Sequence, residues 1–253
     1  MINYFLFSVI VVTTGCTLSL AKVGNKQNER KIDSLVVEAP DSLPAKEIFK
    51  NYINAIGGRQ NLNRIEDRTT LMESEINKHK IKITIYQKAP DEMRQIITTG
   101  PIEQNIYFDG EYGLMEAAGK KINITGSELE KLKYESMINF ITNLDSLGVK
   151  LKYAGFEEVT GKHTYKIEML LPSGSIWIQN FDTKTFLKVK ETVDVPAVNR
   201  IFKQETFYGD YREVDGIKYP FSIIEILGSQ NMYLKVIAVK INTGIGESLF
   251  KIN

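Results

Sequence analysis

The sequence predicts a mainly β protein of the α+β class, built on one long antiparallel sheet with one helix before it and one within it. From about residue 69 the hydrophobic period is two, as Ile81, Ile83 and Ile85 alternate with polar residues, which is typical of a strand with one buried face. Similar runs follow one another with a single helical interruption, which argues against a parallel α/β architecture. About ten or eleven strands result, and after the first they lie at 92–99, 102–108, 111–117, 149–155, 163–171, 175–181, 185–193, 204–212, 217–227 and 231–241.

Turn signals separate several of these runs. A small residue or an aspartate followed by glycine suits a tight hairpin turn, because glycine accepts the left-handed backbone conformation. A single antiparallel sheet with this many strands normally curls or closes to hide its apolar face, so we expect a curved sheet whose mouth is covered by helix. The turn pairs are Asp109-Gly110, Thr160-Gly161, Ser173-Gly174 and Asp215-Gly216.

The first helix is predicted from Asp41-Ser42 to Gly57-Gly58. The first pair offers an N-cap with Pro44 close behind it, and the double glycine ends the helix because it accepts the left-handed conformation found after a last helical turn. The apolar residues between these ends recur at helical spacing and are Ala45, Ile48, Phe49, Tyr52, Ile53 and Ile56.

The second helix is predicted from Ser127 to about Leu147, where Ser127 and Glu130 form the pattern of a capping box. A helix inserted among strands covers or plugs an open sheet, so we interpret this segment as a lid. Its apolar stripe consists of Leu129, Leu132, Met137, Phe140, Ile141 and Leu144.

The first 21 residues predict an export signal, because they contain an apolar stretch and no charged side chain occurs before Lys22. Two cleavage sites are open: one after Ala21, and one before Cys16, where Thr13-Thr14-Gly15-Cys16 resembles a bacterial lipobox whose cysteine becomes lipidated. An uncleaved anchor is the alternative to export. Residues 22–41 are polar and read as a flexible tether, which leaves residues 42–253 as the folded domain.

Composition excludes several functional classes. The chain of 253 residues has a formal net charge of +1, which provides no electrostatic footprint for nucleic acid. One cysteine excludes an intrachain disulfide, and two histidines leave little material for a metal centre, so we expect no metal and no cofactor. The aspartates that could suggest acid–base chemistry lie beside turns, where aspartate is common, and are Asp109, Asp182, Asp210 and Asp215.

A series of short motifs in a fixed order carries a family resemblance. These motifs are Tyr52-Ile-Asn-Ala-Ile-Gly-Gly58, Lys88-Ala-Pro-Asp-Glu-Met-Arg94, Phe108-Asp-Gly110, Gly155-Phe-Glu-Glu-Val-Thr-Gly161, Tyr165-Lys-Ile167, Gly209-Asp-Tyr211, Val214-Asp-Gly-Ile-Lys-Tyr-Pro220, Ile241-Asn-Thr-Gly-Ile245 and Ser248-Leu-Phe250. Over residues 48–250 the chain resembles the LolA/LolB-like family of outer-membrane lipoprotein-sorting proteins. More closely, it resembles a Bacteroidetes-type branch that also occurs as a C-terminal domain of some insulinase-family peptidases.

The resemblance implies a half-open β-barrel with a helical lid and an apolar cavity for acyl chains, and it implies binding rather than catalysis. One departure matters: Ala89 stands where the family has the arginine of a Lys-Arg-Pro motif that helps to hold the cargo. Arg94 lies nearby in sequence and is our candidate for a cargo contact. The zinc-ligand motif of the peptidases is absent, so we expect no enzymatic activity and no catalytic residues.

Our first hypothesis is therefore a non-catalytic carrier or acceptor of lipid or lipoprotein acyl chains in the envelope of a diderm bacterium, either periplasmic or anchored through Cys16. The alternative is an envelope interaction module with a filled barrel, which docks on a protein partner such as a peptidase. An enzyme that uses Asp210 or Asp215 is the weakest hypothesis. The cavity candidates follow the apolar phase of each strand and are Ile81, Ile83, Ile85, Ile106, Phe108, Leu114, Trp177, Phe221, Ile223, Leu234 and Val236; the lid candidates are Leu129, Leu132, Met137, Phe140 and Ile141.

Overall fold

One antiparallel sheet of 13 strands dominates the structure, a computed structural model that describes residues 44–76, 78–197 and 200–252. The predicted signal sequence, Cys16 and the tether lie outside these residues. None of the helices within them is long and apolar enough to cross a membrane. The strands are β1 (Asp67–Ile76), β2 (His79–Lys88), β3 (Glu92–Thr99), β4 (Ile102–Asp109), β5 (Gly113–Ala117), β6 (Lys120–Ile124), β7 (Lys150–Val159), β8 (Lys162–Leu170), β9 (Ile176–Asp182), β10 (Lys188–Ala197), β11 (Arg200–Val214), β12 (Ile217–Leu227) and β13 (Gln230–Ile241).

The strand order joins two meanders through the first and last strands. From edge to edge it is β6-β5-β4-β3-β2-β1-β13-β12-β11-β10-β9-β8-β7, and the sheet is open. Strands β6 and β7 follow each other in the chain but lie at opposite edges. Residues 125–149 between them therefore have to travel from one edge of the sheet to the other, and this topology is what places the lid.

Helix α1 (Ala45–Ala55) packs its apolar stripe against the sheet, with Ile48, Phe49 and Tyr52 buried. Pro44 is its N-cap, and the predicted cap at Asp41-Ser42 lies outside the described residues. The helix ends at the double glycine as predicted, with Gly57 at φ 130°. The absence of a side chain at Gly57 matters, because a Cβ there would lie 2.4 Å from the carbonyl oxygen of Gly216. Helix α2 (Gly58–Asn63) follows directly.

The predicted hairpin turns are confirmed. Thr160 and Gly161 have φ of 49° and 77° between β7 and β8, and Asp215 and Gly216 have 50° and 79° between β11 and β12. Both residues of each pair are therefore left-handed, which is the geometry of a type I′ turn.

The two faces of the sheet differ in burial. The covered face is defined by Ile81, Ile83 and Ile85 of β2 and by all residues in register with them; the opposite face is the outer face. The three isoleucines are at most 3% exposed, whereas their neighbours Lys80 and Lys82 are exposed. The alternation in β2 thus places the apolar residues on the covered face and the polar residues on the outer face, as the sequence predicts.

Two details of the prediction are wrong. The structure has 13 strands rather than ten or eleven, because β1 and β6 were not recognised as separate runs. The helix predicted from Ser127 to about Leu147 is shorter: α3 covers Gly126–Ser136, and a 3₁₀ turn at Phe140–Thr142 follows it. The N-cap of α3 is Thr125 rather than Ser127, and no side-chain hydrogen bond caps it.

Candidate functional site

The lid, defined here as residues 126–142, crosses the covered face of the sheet. Its buried apolar side chains are Leu132, Ile138, Phe140 and Ile141, each at most 5% exposed, together with the ring of Tyr134 at 8%, whereas Leu129 and Met137 are half-buried. All five predicted lid residues therefore lie within this segment, and Leu132, Phe140 and Ile141 are the three of them that are buried.

The N-terminal half of the lid contacts the sheet at Gly113 in β5. A Cβ at this position would lie 3.0 Å from Leu129 Cδ1, 3.0 Å from Leu132 Cδ2 and 3.0 Å from the Cβ of Ile124. Lid and sheet thus touch here with no spare space, and only glycine permits the contact without movement of a neighbour.

A polar latch holds the C-terminal end of α3. Gln87 Nε2 donates hydrogen bonds to the carbonyl oxygens of Glu135, at 2.9 Å, and Ser136, at 3.3 Å. Arg68 donates to Gln87 Oε1 from both Nε, at 3.0 Å, and Nη2, which fixes the orientation of the amide. The guanidinium lies 5.9 Å from the centroid of the Tyr219 ring. The last carbonyl groups of a helix lack hydrogen-bond donors within the helix, and Gln87 supplies a donor for two of them.

Aromatic rings join the lid to the other half of the sheet. Trp177 of β9 packs edge-on against Tyr134, with ring centroids 6.1 Å apart, and at 5.9 Å from Phe140. Trp177 is 2% exposed, so the two lid rings close off this part of the covered face.

The covered face also contains buried charges. Glu135 of the lid is 5% exposed and lies 3.6 Å from Lys131 Nζ, which donates to Gln204 Oε1 at 3.0 Å. Burial raises the pKa of the Glu135 carboxyl well above its ordinary value; Lys131 opposes this shift, and Glu191 and Glu225 add to it by charge repulsion.

Glu191 has its own partners. Lys188 Nζ and Gln179 Nε2 each donate to Glu191 Oε2 at 3.0 Å, and the same lysine nitrogen lies 4.4 Å from the centroid of the Tyr208 ring. The covered face is thus a mainly apolar wall in β2–β5 and a network of paired charges in β9–β12. Buried charges of this kind require partners, and these side chains provide them for each other.

All 11 predicted cavity residues are buried, and all but one lie on the covered face. Leu114 is the exception, because it pairs with Tyr107 rather than with Ile106 or Phe108 and so lies on the outer face.

Arg94 also lies on the outer face, opposite to the covered Met93 and Gln95. Its guanidinium donates to Asn105 Oδ1, at 3.0 Å from Nη2, and lies 4.9 Å from the centroid of the Tyr107 ring. A cargo bound on the covered face would therefore not reach Arg94. Two other arginines approach the lid: Arg68 through Gln87, and Arg59, which donates to the carbonyl oxygen of Thr142.

Two surface clefts reach the covered wall from the side of Tyr233. One, of about 350 Å³, is lined by Ile81 and Ser74 together with charged residues of β1 and β2; the other, of about 320 Å³, is lined by Phe221, Ile223 and Leu234. Both clefts lie where β1 and β13 separate: the last pair between the two strands is Glu73 with Lys235, and both strands extend beyond it.

The residues considered for catalysis are used otherwise. Asp109 Oδ1 accepts hydrogen bonds from the backbone N–H groups of Glu111 and Tyr112, and Asp182 does the same for Lys184 and Thr185, which confirms their use in turns. Asp210 pairs with Arg212 on the surface. Within the described part of the chain, no group of three or more His, Cys, Asp or Glu residues is placed to hold a metal ion.

The polar residues of the covered face were missed by the sequence analysis. Gln87 continues the phase of Ile81, Ile83 and Ile85, and Gln95 lies between Met93 and Ile97 in the same phase. A polar residue at an inward position was the available signal, because buried polar groups need a specific partner.

The fold class is LolA-like: an open, curved antiparallel sheet whose covered face carries a helical lid, as the sequence predicts. The structure is similar to a LolA superfamily protein from Nitrosomonas europaea, with a TM-score of 0.56 and 13% identity over 83% of this chain and 99% of that one. It is equally similar to a DUF1329 family protein from Desulfovibrio piger, with a TM-score of 0.56 and 12% identity over 83% and 98%.

A third similar structure is a putative outer membrane lipoprotein-sorting protein domain from Vibrio parahaemolyticus, with a TM-score of 0.50 and 10% identity over 81% of this chain and 94% of that one. At these identities the likeness concerns the fold. No protein-family model and no curated protein matches the sequence.

Proposed function

We propose that this protein is a non-catalytic carrier or acceptor that binds the acyl chains of a lipid or lipoprotein on the covered face of its sheet. The observation that supports this most directly is that a short segment, the lid, covers the apolar wall of β2–β5, where a second sheet would cover it in a sandwich. A short segment can be displaced without unfolding the sheet, and an acyl chain offers the wall the same kind of contact.

Burial of the lid side chains and burial of an acyl chain contribute free energies of similar size. An acyl chain of about 14–16 carbons contributes on the order of 10 kcal/mol on burial, before ordering costs. The four buried aliphatic and phenylalanine side chains of the lid, Leu132, Ile138, Phe140 and Ile141, contribute about 1.5–3 kcal/mol each, or about 6–12 kcal/mol together. Exchange of one for the other is therefore nearly balanced, as a carrier that has to load and release requires.

We further propose that the protein acts in the cell envelope. The name of the similar Vibrio parahaemolyticus domain, a putative outer membrane lipoprotein-sorting protein, supports this place and this class of cargo. The export signal, acylation of Cys16, the tether at 22–41 and the kinship with a Bacteroidetes-type branch stay predictions from the sequence.

The single tryptophan provides a direct test, since Trp177 packs against two lid rings. The whole chain is titrated with palmitoyl-oleoyl phosphatidylethanolamine, and native mass spectra are recorded together with tryptophan emission. We expect a mass increase of one lipid and a red shift of the emission as the lid leaves Trp177. Trp177→Phe is the control, which should bind the lipid without the emission signal.

A second candidate function is a docking module with a filled interior. The observation that favours it is the close packing of Trp177, Tyr134 and Phe140, which leaves this end of the covered face closed. A mass that stays unchanged after incubation with lipid, with unchanged emission, would contradict the carrier and favour the docking module.

A further inference from the structure

Gln95 is a polar side chain in the middle of the apolar wall. It lies on β3 in register with Ile85 of β2 and Ile106 of β4, and it has no exposed surface. Its neighbours along the covered face of β3 are Met93 and Ile97, which are buried as well. Hydrophobic side chains therefore surround this amide both along its strand and across the sheet.

Both polar atoms of Gln95 lack a hydrogen-bond partner within the described residues, Oε1 as well as Nε2. Gln87, in the same phase on the next strand, uses both of its polar atoms in the latch. A buried amide without partners destabilises the folded state, because its hydration is lost and nothing replaces it. A methionine at this position would fill the same space without that penalty, so stability does not explain the glutamine.

We propose that Gln95 is the subsite for the acyl linkage of the bound lipid, where Nε2 donates a hydrogen bond to the carbonyl oxygen of an ester or amide that enters the wall with its chain. This inference rests on the proposed function and narrows it, because it predicts that the protein prefers lipids with an acyl ester or amide linkage to lipids with plain alkyl chains. An amide provides what such a linkage needs: a donor for the carbonyl and, through Oε1, an acceptor for an adjacent hydroxyl or N–H group.

Buried polar atoms without a hydrogen-bond partner among the described residues also lie on the lid, at Glu135 Oε2 and Asn139 Oδ1. Glu135 Oε2 is buried without a hydrogen-bond partner, although Oε1 of the same carboxyl lies beside Lys131. The closed structure therefore leaves polar atoms unsatisfied on the wall and on the lid that covers it. Binding of an acyl linkage in exchange for the lid satisfies Gln95 and returns Glu135 to solvent.

The test compares two lipids that differ by one carbonyl. The whole chain is titrated with 1-palmitoylglycerol, an ester, and with 1-O-hexadecylglycerol, the ether of the same chain length and polar group. The titrations are repeated with Gln95→Met and with Ile97→Met, a control that changes the neighbouring position of the same face. We expect the wild type and Ile97→Met to prefer the ester by about tenfold, the size of one neutral hydrogen bond.

Gln95→Met should bind the ether as the wild type does and lose the preference for the ester. It should also raise the midpoint of thermal unfolding of the free protein by about 2–4 °C, since a buried unsatisfied amide is removed. An N-palmitoyl amide with the same polar group distinguishes the source of the linkage: a preference for it over the ester indicates N-acylated lipoprotein, and the reverse indicates a glycerolipid.

The failures can be told apart. If the wild type binds neither lipid, the carrier itself is wrong and this inference falls with it. If the wild type binds both equally, or if Gln95→Met keeps the preference for the ester, the carrier stands and the role of Gln95 is wrong. An amide that is satisfied by a buried water alone would give this last result.

Discussion

Alanine at Gly113 should open the lid. The added methyl group would lie 3.0 Å from Leu129 Cδ1 and Leu132 Cδ2, closer than nine in ten Cβ contacts in proteins, and both atoms belong to the lid. The backbone of Gly113 is outside the left-handed region, so alanine is compatible with its conformation. The substitution therefore acts as a wedge between sheet and lid that leaves the backbone conformation of Gly113 unstrained, although it also presses on the Cβ of Ile124 in β6 at 3.0 Å.

The size of the effect follows from the cost of overpacking. An extra methyl group in a close-packed contact typically costs about 1–3 kcal/mol. If the lid moves to relieve it, the open state gains this amount, which is about a 5- to 150-fold increase in its population. The apparent affinity for an acyl ligand rises by the same factor as long as the open state remains the minor one.

Hydrogen exchange of the whole chain, resolved by peptide, measures the first effect, and titration with a fluorescent fatty acid measures the second. We expect faster exchange in residues 126–142, unchanged exchange in β1–β4, and tighter binding. Gly209→Ala is the matched control, because its methyl group would meet nothing closer than Ser222 Cβ at 3.9 Å. Unchanged lid exchange would refute the reasoning, and so would faster exchange throughout the sheet with weaker binding, which would mean that Ile124 moved instead of the lid.

Three further substitutions have effects that the structure predicts. Glu135→Gln should stabilise the protein at neutral pH and not at pH 4, because a raised pKa means that the carboxylate of the wild type destabilises the fold as pH rises above the ordinary glutamate value. Asp67→Asn should destabilise the protein at neutral pH. Burial raises the pKa of Asp67, but hydrogen bonds from Thr243 and Gly244 outweigh this effect and lower the pKa below its ordinary value. The substitution should therefore reduce the free energy of unfolding by about 1.5–3 kcal/mol at neutral pH, and the reduction should shrink below pH 4. Gly57→Ala should cost about 3 kcal/mol or more, because its methyl group would meet the Gly216 carbonyl oxygen at 2.4 Å and its φ is 130°.

Urea unfolding at two pH values checks the first two substitutions, and thermal unfolding checks the third. A difference from wild type that does not vary with pH would contradict the electrostatic explanation at Glu135 or Asp67. Gly58→Ala is the control for Gly57, since it shares a positive φ but no atom lies within 4 Å of its Cβ. Equal losses at the two glycines would show that backbone conformation, rather than the close approach, determines the cost.

The two strands that were not predicted, β6 and β1, lack a hydrophobic period of two for different reasons. In β6, residues Lys120 to Asn123 are all exposed, so this edge strand has no buried face and no period of two. In β1 the buried phase contains Arg68, Thr70 and Ser74, so the alternation exists in burial but not in polarity. A hydrophobic period reports a strand only where one face packs against apolar groups.

The end of the lid helix could not be predicted for a different reason. The apolar stripe continues through Phe140, Ile141 and Leu144, yet the helix stops at Ser136 and Met137 is extended. Gln87 takes the carbonyl oxygens that the next helical turn would have used. This partner lies 48 residues away in sequence from Glu135, so local propensity contains no trace of it.

The sequence by itself determined the class of fold, the turns and most of the buried wall. Periodicity of two and glycine-containing turn pairs are local properties, and they hold wherever the chain later folds. Only the tertiary structure decided that Leu114 and Arg94 face outward and that Arg68, Gln87 and Gln95 face the lid. The physical reason is that the face of a residue depends on pairing with strands distant in sequence, and a shift of one residue exchanges the two faces.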